Sequence, residues 1–192
     1  MPYANINVAK LAVDVNKTRP VYGAITVTQS DTGDTNPANQ IAILAHPSGT
    51  DVLNPPSAPV TAGPGPFNGY YKLSGYVAEA PLKEITVVSG ELIVPVHALY
   101  KSTAAWAGFR HTANNVTVAF VFGLEQGGQI FFSQRPTAGY QAAVGVLTNV
   151  AGGGKLEALA GTKVSVWVAS NKSGTITLGN SNISVEMIED LT

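Results

Sequence analysis

Cysteine is absent from the sequence, and with it go disulfide staples, thiolate nucleophiles and cysteine-ligated zinc. Charge is scarce as well. Only 12% of the 192 residues are Asp, Glu, Lys or Arg, about half the roughly 25% of an ordinary soluble domain. The 11 Lys and Arg residues are scattered singly and the net charge is −1, so there is no basic stripe of the kind that nucleic acid or an anionic membrane requires. No apolar run reaches the roughly 18 residues of a membrane span. The first residues carry neither a basic n-region nor an apolar h-region, so neither membrane insertion nor export by a cleaved signal is expected. Helical periodicity is almost missing, and neither heptads nor Gly-X-Y repeats are present to build a stalk.

What is present is apolar: 45% of residues are Ala, Val, Ile, Leu, Met, Phe, Trp, Tyr or Cys. A surface so poor in charge suits a chain that functions packed against other subunits. Beyond Phe67 the chain reads as runs of four to eight β-branched and aromatic residues separated by Gly, Asn and Ser. The expected strands lie near residues 70–77, 84–88, 92–96, 99–103, 116–122, 130–133, 141–148, 155–159, 163–169 and 183–188. That density predicts an all-β sandwich or barrel over residues 67–192.

Residues 1–66 have a different character. Between 30 and 66 the chain is punctuated by turn signals such as Asn54-Pro55-Pro56 and the alternating Gly and Pro of residues 63–66. Short β-prone pieces occur at 21–27 and 41–45. In the first, Val21, Gly23, Ile25 and Val27 fall on one face of an extended strand. The expectation is an N-terminal arm, 1–66, that attaches a 67–192 core to something larger, with Val21, Tyr22, Ile25 and Val27 as candidate attachment residues acting by strand addition.

The run at 116–122 carries Val116, Val118, Phe120 and Phe122 on one face and Thr117, Ala119 and Val121 on the other, so neither face suits water. Around Trp167 the pattern repeats, with Val164, Val166 and Val168 opposite the indole. In a simple sandwich the second face meets solvent and needs a cover. Either the N-terminal arm covers Trp167 and leaves it at most partly exposed, or a neighbouring subunit packs there, as aromatic enrichment at interfaces suggests.

Catalytic signatures fail on inspection. Asp31-Thr32-Gly33 matches the aspartic-protease triplet but occurs once and has no apolar strand leading into it, so it reads as a turn. Asp31, Asp34 and Asn36 lack the spacing and closing Glu of a calcium loop. Gly152-Gly153-Gly154-Lys155 is followed by Leu rather than Ser or Thr, and reads as a flexible turn rather than a phosphate loop. His46, His97 and His111 sit at no metal-pair spacing. Four Asn-x-Ser/Thr sites, at Asn16, Asn115, Asn171 and Asn182, reflect turn and strand composition. Tyr70, Tyr71, Tyr76 and Trp106 are available either for core packing or for stacking on sugar. No catalytic residue, metal ligand or cofactor is assigned.

The spacing of Gly90, Pro95 and Tyr100 resembles the opening motif of the complement globular-head and tumour-necrosis-factor-like jelly rolls, with Leu92 where that family prefers Phe and Ala98 where it prefers Gly. The stretch 156–166, turning at Gly161, is similar to a strand, Gly-turn, strand unit of the same family, with Thr162 in place of Asp. Residues 181–187 resemble its closing strand, with Ile183 for Phe and Val185 for Gly. The resemblance covers roughly 68–192. It implies a jelly-roll sandwich of about ten strands assembling as a homotrimer, with Tyr100, Phe120, Phe122 and Trp167 as candidate interface residues, and it implies no enzymatic activity. The functional expectation is a structural virion protein: a trimeric capsid decoration or cement protein, or a head-fibre knob, of a bacteriophage. It would partner the major capsid protein or another virion protein, bind no nucleic acid or membrane, and sit on the capsid surface after assembly in the host cytoplasm. The alternative is a receptor- or carbohydrate-binding head.

Overall fold

The computed structural model describes residues 20–27, 40–48, 52–63, 65–144 and 148–191. These form fifteen strands and no helix: β1 (Tyr22–Val27), β2 (Gln40–Ile43), β3 (Val60–Thr61), β4 (Tyr71–Lys72), β5 (Val77–Lys83), β6 (Thr86–Val88), β7 (Glu91–Ile93), β8 (Ala98–His111), β9 (Val116–Gln126), β10 (Gln129–Phe132), β11 (Thr137–Gln141), β12 (Thr148–Ala158), β13 (Lys163–Ser170), β14 (Gly174–Thr177) and β15 (Ser181–Asp190). All strand pairs are antiparallel, and they build two facing sheets.

In the seven-stranded sheet, long β8 is flanked by β12 on one edge. On the other edge lie β15 and β14, which keep one register past β8 and so act as a single strand interrupted at residues 178–180. β1 joins β15 to β5, and β2 joins β14. In the eight-stranded sheet β9 is central. β13 lies along one edge, and β10 and β11 follow one another along the other.

The strands follow from side-chain alternation. β8 buries Ala98, Tyr100, Ser102, Ala104 and Trp106, half-buries Leu99 and exposes Lys101, Thr103 and Ala105 between them, the period-two signature of a half-buried strand. Its Trp106 ring stacks on Phe120 of β9 at 4.1 Å between centroids, and Phe109 meets Phe120 edge-on at 5.7 Å. Facing side chains of β9 and β13 complete this inter-sheet core: Val116, Val118, Phe120 and Phe122 with Val164, Val166 and Val168.

The opposite faces of β9 and β13 form a second core. Ala119, Val121, Trp167 and Ala169 pack with Val52, Tyr70, Ile130 and Phe132. Much of the cover comes from the described residues between β2 and β4, 44–48, 52–63 and 65–70, a strap across the outside of the eight-stranded sheet that supplies Val52, Phe67 and Tyr70. It is pinned by His46 N–H donating to the Ser170 carbonyl (2.8 Å) and Ala62 N–H to that of Gly128 (2.9 Å). The Tyr70 hydroxyl donates to the Val52 carbonyl beneath it. Trp167 lies over Gly123, where a Cβ would come within 2.4 Å of the indole nitrogen, so the glycine makes room for the ring.

The boundary expected at residue 66 is therefore displaced. β1 is an interior strand between β15 and β5, β2 and β3 are paired with β14 and β10, and the strap closes the second core. These elements lack a core of their own and gain stability by completing the two sheets, so the sandwich extends back to Val21. Residues 1–19 lie outside the described residues.

Candidate functional site

The buried polar chemistry is structural in its partners. His111 is buried at the end of β8. Its Nδ1 accepts from Ala113 N–H at 3.0 Å, and its Nε2 lies 3.4 Å from Ser170 Oγ. Gln141 brackets the same turn, accepting from His111 N–H at 2.6 Å and donating to the carbonyls of His111 and Ala113. Burial, more than any other influence, holds the His111 imidazole below its ordinary pKa, and nearby Lys172 adds to that through its charge. His46 packs edge-on against Tyr70 within the strap, and His97 pairs with Glu157 at 3.2 Å on the surface. His46 and His111 both bond to Ser170, through its carbonyl and its hydroxyl respectively, and among the described residues no group of three or more His, Cys, Asp or Glu is placed to hold a metal ion. The Asp31, Asp34 and Asn36 turn lies outside the described residues.

Tyr76 accepts hydrogen bonds from Trp106 Nε1 (3.1 Å) and Ser181 Oγ (3.2 Å), and burial raises its pKa. Tyr70, Tyr76 and Trp106 are all buried and Tyr71 is half-buried, so the core reading of these aromatics holds and no sugar platform forms from them. Lys163 pairs with Glu125 at 2.7 Å across the outer face of the eight-stranded sheet, and this hydrogen bond raises the lysine pKa. Beside it Lys72 pairs with Glu91 at 2.6 Å. These neutralised pairs and the strap leave little of that sheet's outer face for a partner.

The other sheet is open. β8 turns Lys101, Thr103, Ala105 and Ala107 outward, β12 turns Ala151, Gly153, Lys155 and Glu157, and β15 turns Ser184 and Glu186, so one half of the face carries small uncharged side chains and the other half carries charges of both signs. Toward its β1–β5 end lies a cleft of about 410 Å³ lined by Tyr22, Glu79, Pro81, Asn182, Ser184 and Glu186. At the β12 end, between β12 and β10, runs a groove of about 270 Å³ that includes Phe131, Arg135, Lys155 and Glu157. Phe131 is 41% exposed there, and Tyr140 on neighbouring β11 is 58% exposed. An open face at one end and an aromatic edge at the other form the candidate assembly surface.

No family model matches the sequence, and no curated protein matches it. Solved structures do match. Eiger TNF from S. frugiperda superposes with a TM-score of 0.56 at 10% identity, covering 91% of this chain and 96% of its own. The fold is the tumour-necrosis-factor-like jelly roll. Murine APRIL (TM-score 0.48, 9% identity, 86% of this chain and 99% of its own) and the globular domain of zebrafish complement 1qA protein (0.41, 10%, 88% and 98%) also match. The resemblance read at Gly90, Pro95 and Tyr100 thus carried the fold correctly.

Within this TNF-like jelly roll the four expected interface residues lie inside one chain. Tyr100, Phe120, Phe122 and Trp167 are at most 8% exposed and pack within the chain's own two cores. Trp167 is covered by the chain's own Phe67 and Phe132, so cover from within the chain, the alternative the sequence had left open, applies. Burial pushes the Tyr100 hydroxyl up to about 12, against a hydrogen bond it donates to the Val96 carbonyl. Of the attachment candidates, Val21 and Ile25 are buried core residues and Val27 pairs with Ser181 in the sheet. Tyr22 faces outward, into the cleft. The triple glycine is not a turn but mid-strand β12: a Cβ on Gly152 would come within 1.9 Å of Thr137 Oγ1, and one on Gly153 within 2.3 Å of the Ser102 carbonyl. The exposed face itself went unread, because small residues such as Ala105, Ala107 and Ala151 give a weak strand signal. Among the described residues no helix is long and apolar enough to cross a membrane.

Proposed function

We propose that this chain is a homotrimeric head module that decorates a virus particle, most specifically the capsid of a bacteriophage. The observation that carries the assembly half of this reading is the asymmetry of the sandwich. One sheet is sealed on its outer side by the strap, while the other presents an open face, small and uncharged in one half and charged in the other, with Phe131 and Tyr140 exposed at the far edge. A face and an edge on one molecule make a heterologous contact, and repetition of such a contact closes a ring. The jelly-roll likeness to Eiger TNF supports the head-module part. The low charge of the chain and the lack of a recognisable catalytic signature favour a structural role over an enzyme. The attachment role moves from β1 to residues 1–19 and the loops between strands.

The test is mass and location: native mass spectrometry of the full chain is expected to give three copies, and electron microscopy of the particle is expected to show threefold density for it on the capsid. A monomer at micromolar concentration overturns the assembly reading, and particles lacking the protein overturn the virion reading. The second reading, a receptor- or carbohydrate-binding head, is favoured by the aromatic and acidic lining of the Tyr22 cleft. Binding on a glycan array without particle association would select it.

A further inference from the structure

We propose that the cleft bearing Tyr22, Glu79 and Glu186 is a socket for Arg135 and Lys155 of a second copy of this chain, so that charge sets the register of the assembly. This inference rests on the assembly reading above and adds the residues that lock it.

The cleft lining contains two carboxylates, Glu79 and Glu186, and no basic side chain; the nearest cation in register is Lys101 of β8, directly across from Glu186. Glu79 is held in place by a hydrogen bond from the Asn182 side-chain amide. Tyr22 is 36% exposed and forms part of the same wall. An oriented carboxylate, a second carboxylate and an aromatic ring are the features that receive a guanidinium or ammonium group.

The groove at the other end has the opposite character. It carries Arg135 and Lys155 against one carboxylate, Glu157, which His97 Nε2 already contacts at 3.2 Å. Among the described residues neither Arg135 nor Lys155 forms an ion pair with an acid. Lys155 also stands directly across from Lys101 in the β12–β8 register, and like charges in directly opposed positions destabilise a sheet pair. Lys101 already faces Glu186 of its own chain on its other side, which leaves Lys155 as the cation open to an arriving carboxylate. Phe131 beside them adds exposed apolar area.

Sheet order separates the two sites. The cleft sits at the β15, β1 and β5 end, and the groove sits along β12 and β10, beyond β8. A copy cannot place its own groove on its own cleft, whereas its neighbour can, and the contact then repeats around a ring.

Charge reversal tests the pairing in the full-length chain. One variant carries Glu79→Lys and Glu186→Lys, a second carries Arg135→Glu and Lys155→Glu, and a third carries all four. Circular dichroism establishes that each is folded, and dilution followed by light scattering gives the concentration at which it dissociates. Each two-site variant is expected to dissociate at about tenfold higher concentration or more, the scale of a disrupted interfacial charge pair, and the four-site variant to return to within a few-fold of the original. The milder Glu186→Gln and Arg135→Gln changes are expected to weaken assembly by less together than the sum of their separate effects. Two-site variants that assemble like the original, or a four-site variant no better than they are, overturn the socket and leave the assembly reading standing. An unaltered chain that stays monomeric overturns both.

Discussion

Replacing Trp167 with Ala separates a fold contact from a subunit contact. Burying an indole removes about 150–250 Å² from water, worth about 4–6 kcal/mol at about 25 cal/mol per Å². The indole here is fully enclosed, between Phe67 at 5.4 Å and Phe132 at 5.3 Å from centroid to centroid, and its Nε1 donates to Ser165 Oγ at 3.0 Å. Truncation leaves a cavity that a strap tied at His46, Ala62 and Tyr70 closes only in part, so the expected loss is about 3–5 kcal/mol. In a domain of this size that lowers Tm by roughly 10 °C. Urea unfolding followed by circular dichroism, run at two protein concentrations, measures it, and Trp106 remains as the lone indole for a fluorescence check. The loss is expected at both concentrations alike, because the contact lies within one chain. A shift below about 1 kcal/mol, or one that vanishes as concentration rises, would refute the argument and return Trp167 to a subunit interface.

Acid should weaken the fold through His111. Its pKa is lowered in the native state by burial, so between the unfolded value near 6.5 and lower pH the unfolded chain binds more protons. The stabilisation is fully present above that range and lost as pH falls through it, and urea midpoints for His111→Gln should be flatter from pH 7.5 to 5 than those of the original chain. Gly152→Ala should destabilise by about 1–3 kcal/mol because its Cβ collides with Thr137, whereas Gly154→Ala, with nothing within 4 Å, should leave the melting temperature nearly unchanged; equal effects would contradict the packing of β12 on β11. Tyr70→Phe should cost about 1–3 kcal/mol by leaving the buried Val52 carbonyl without its donor, measured by the same unfolding curves. Removing residues 1–19 should leave a folded chain, while removing 1–66 should leave an insoluble one that has lost β1, β2, β3 and most of the strap; a soluble, folded product from the longer deletion would restore the boundary at 66.

The two faces of β9 were legible from residues 116–122 because a period of two assigns each side chain to a face without knowledge of its neighbours. What covers the second face was not, since Val52 and Phe67 lie about a hundred residues from Trp167 and nothing local couples them. The same limit applied to residues 21–27. Alternation marked a strand, but pairing with β15 depends on the far end of the chain, and an isolated strand next to Pro- and Gly-rich sequence reads as an arm. β8 was foreseen only to residue 103, because the next residues, Ala104 and Ala105, have little strand preference and are held there by β12 and β15 on either side. Glycines 152–154 misled for the opposite reason: a flexible-turn composition was serving close approach of two sheets. The candidate surface was the least legible part, because it consists of what small side chains leave uncovered.

The pairing of β1 with β15 also constrains the order of events during synthesis. The first described strand waits for one of its two sheet partners until residues 181–190 have left the ribosome. The central strand β8 likewise waits for β12 and β15. A nascent chain of this topology therefore spends most of its translation with open strand edges, the state most prone to aggregation. Sheet closure waits for β15, at the slow rates typical of non-local pairing, and any assembly surface that includes β1 and β15 is completed only then. Slowing translation before β15 emerges should not help such a chain to fold, whereas a chaperone that shields strand edges until β15 arrives should.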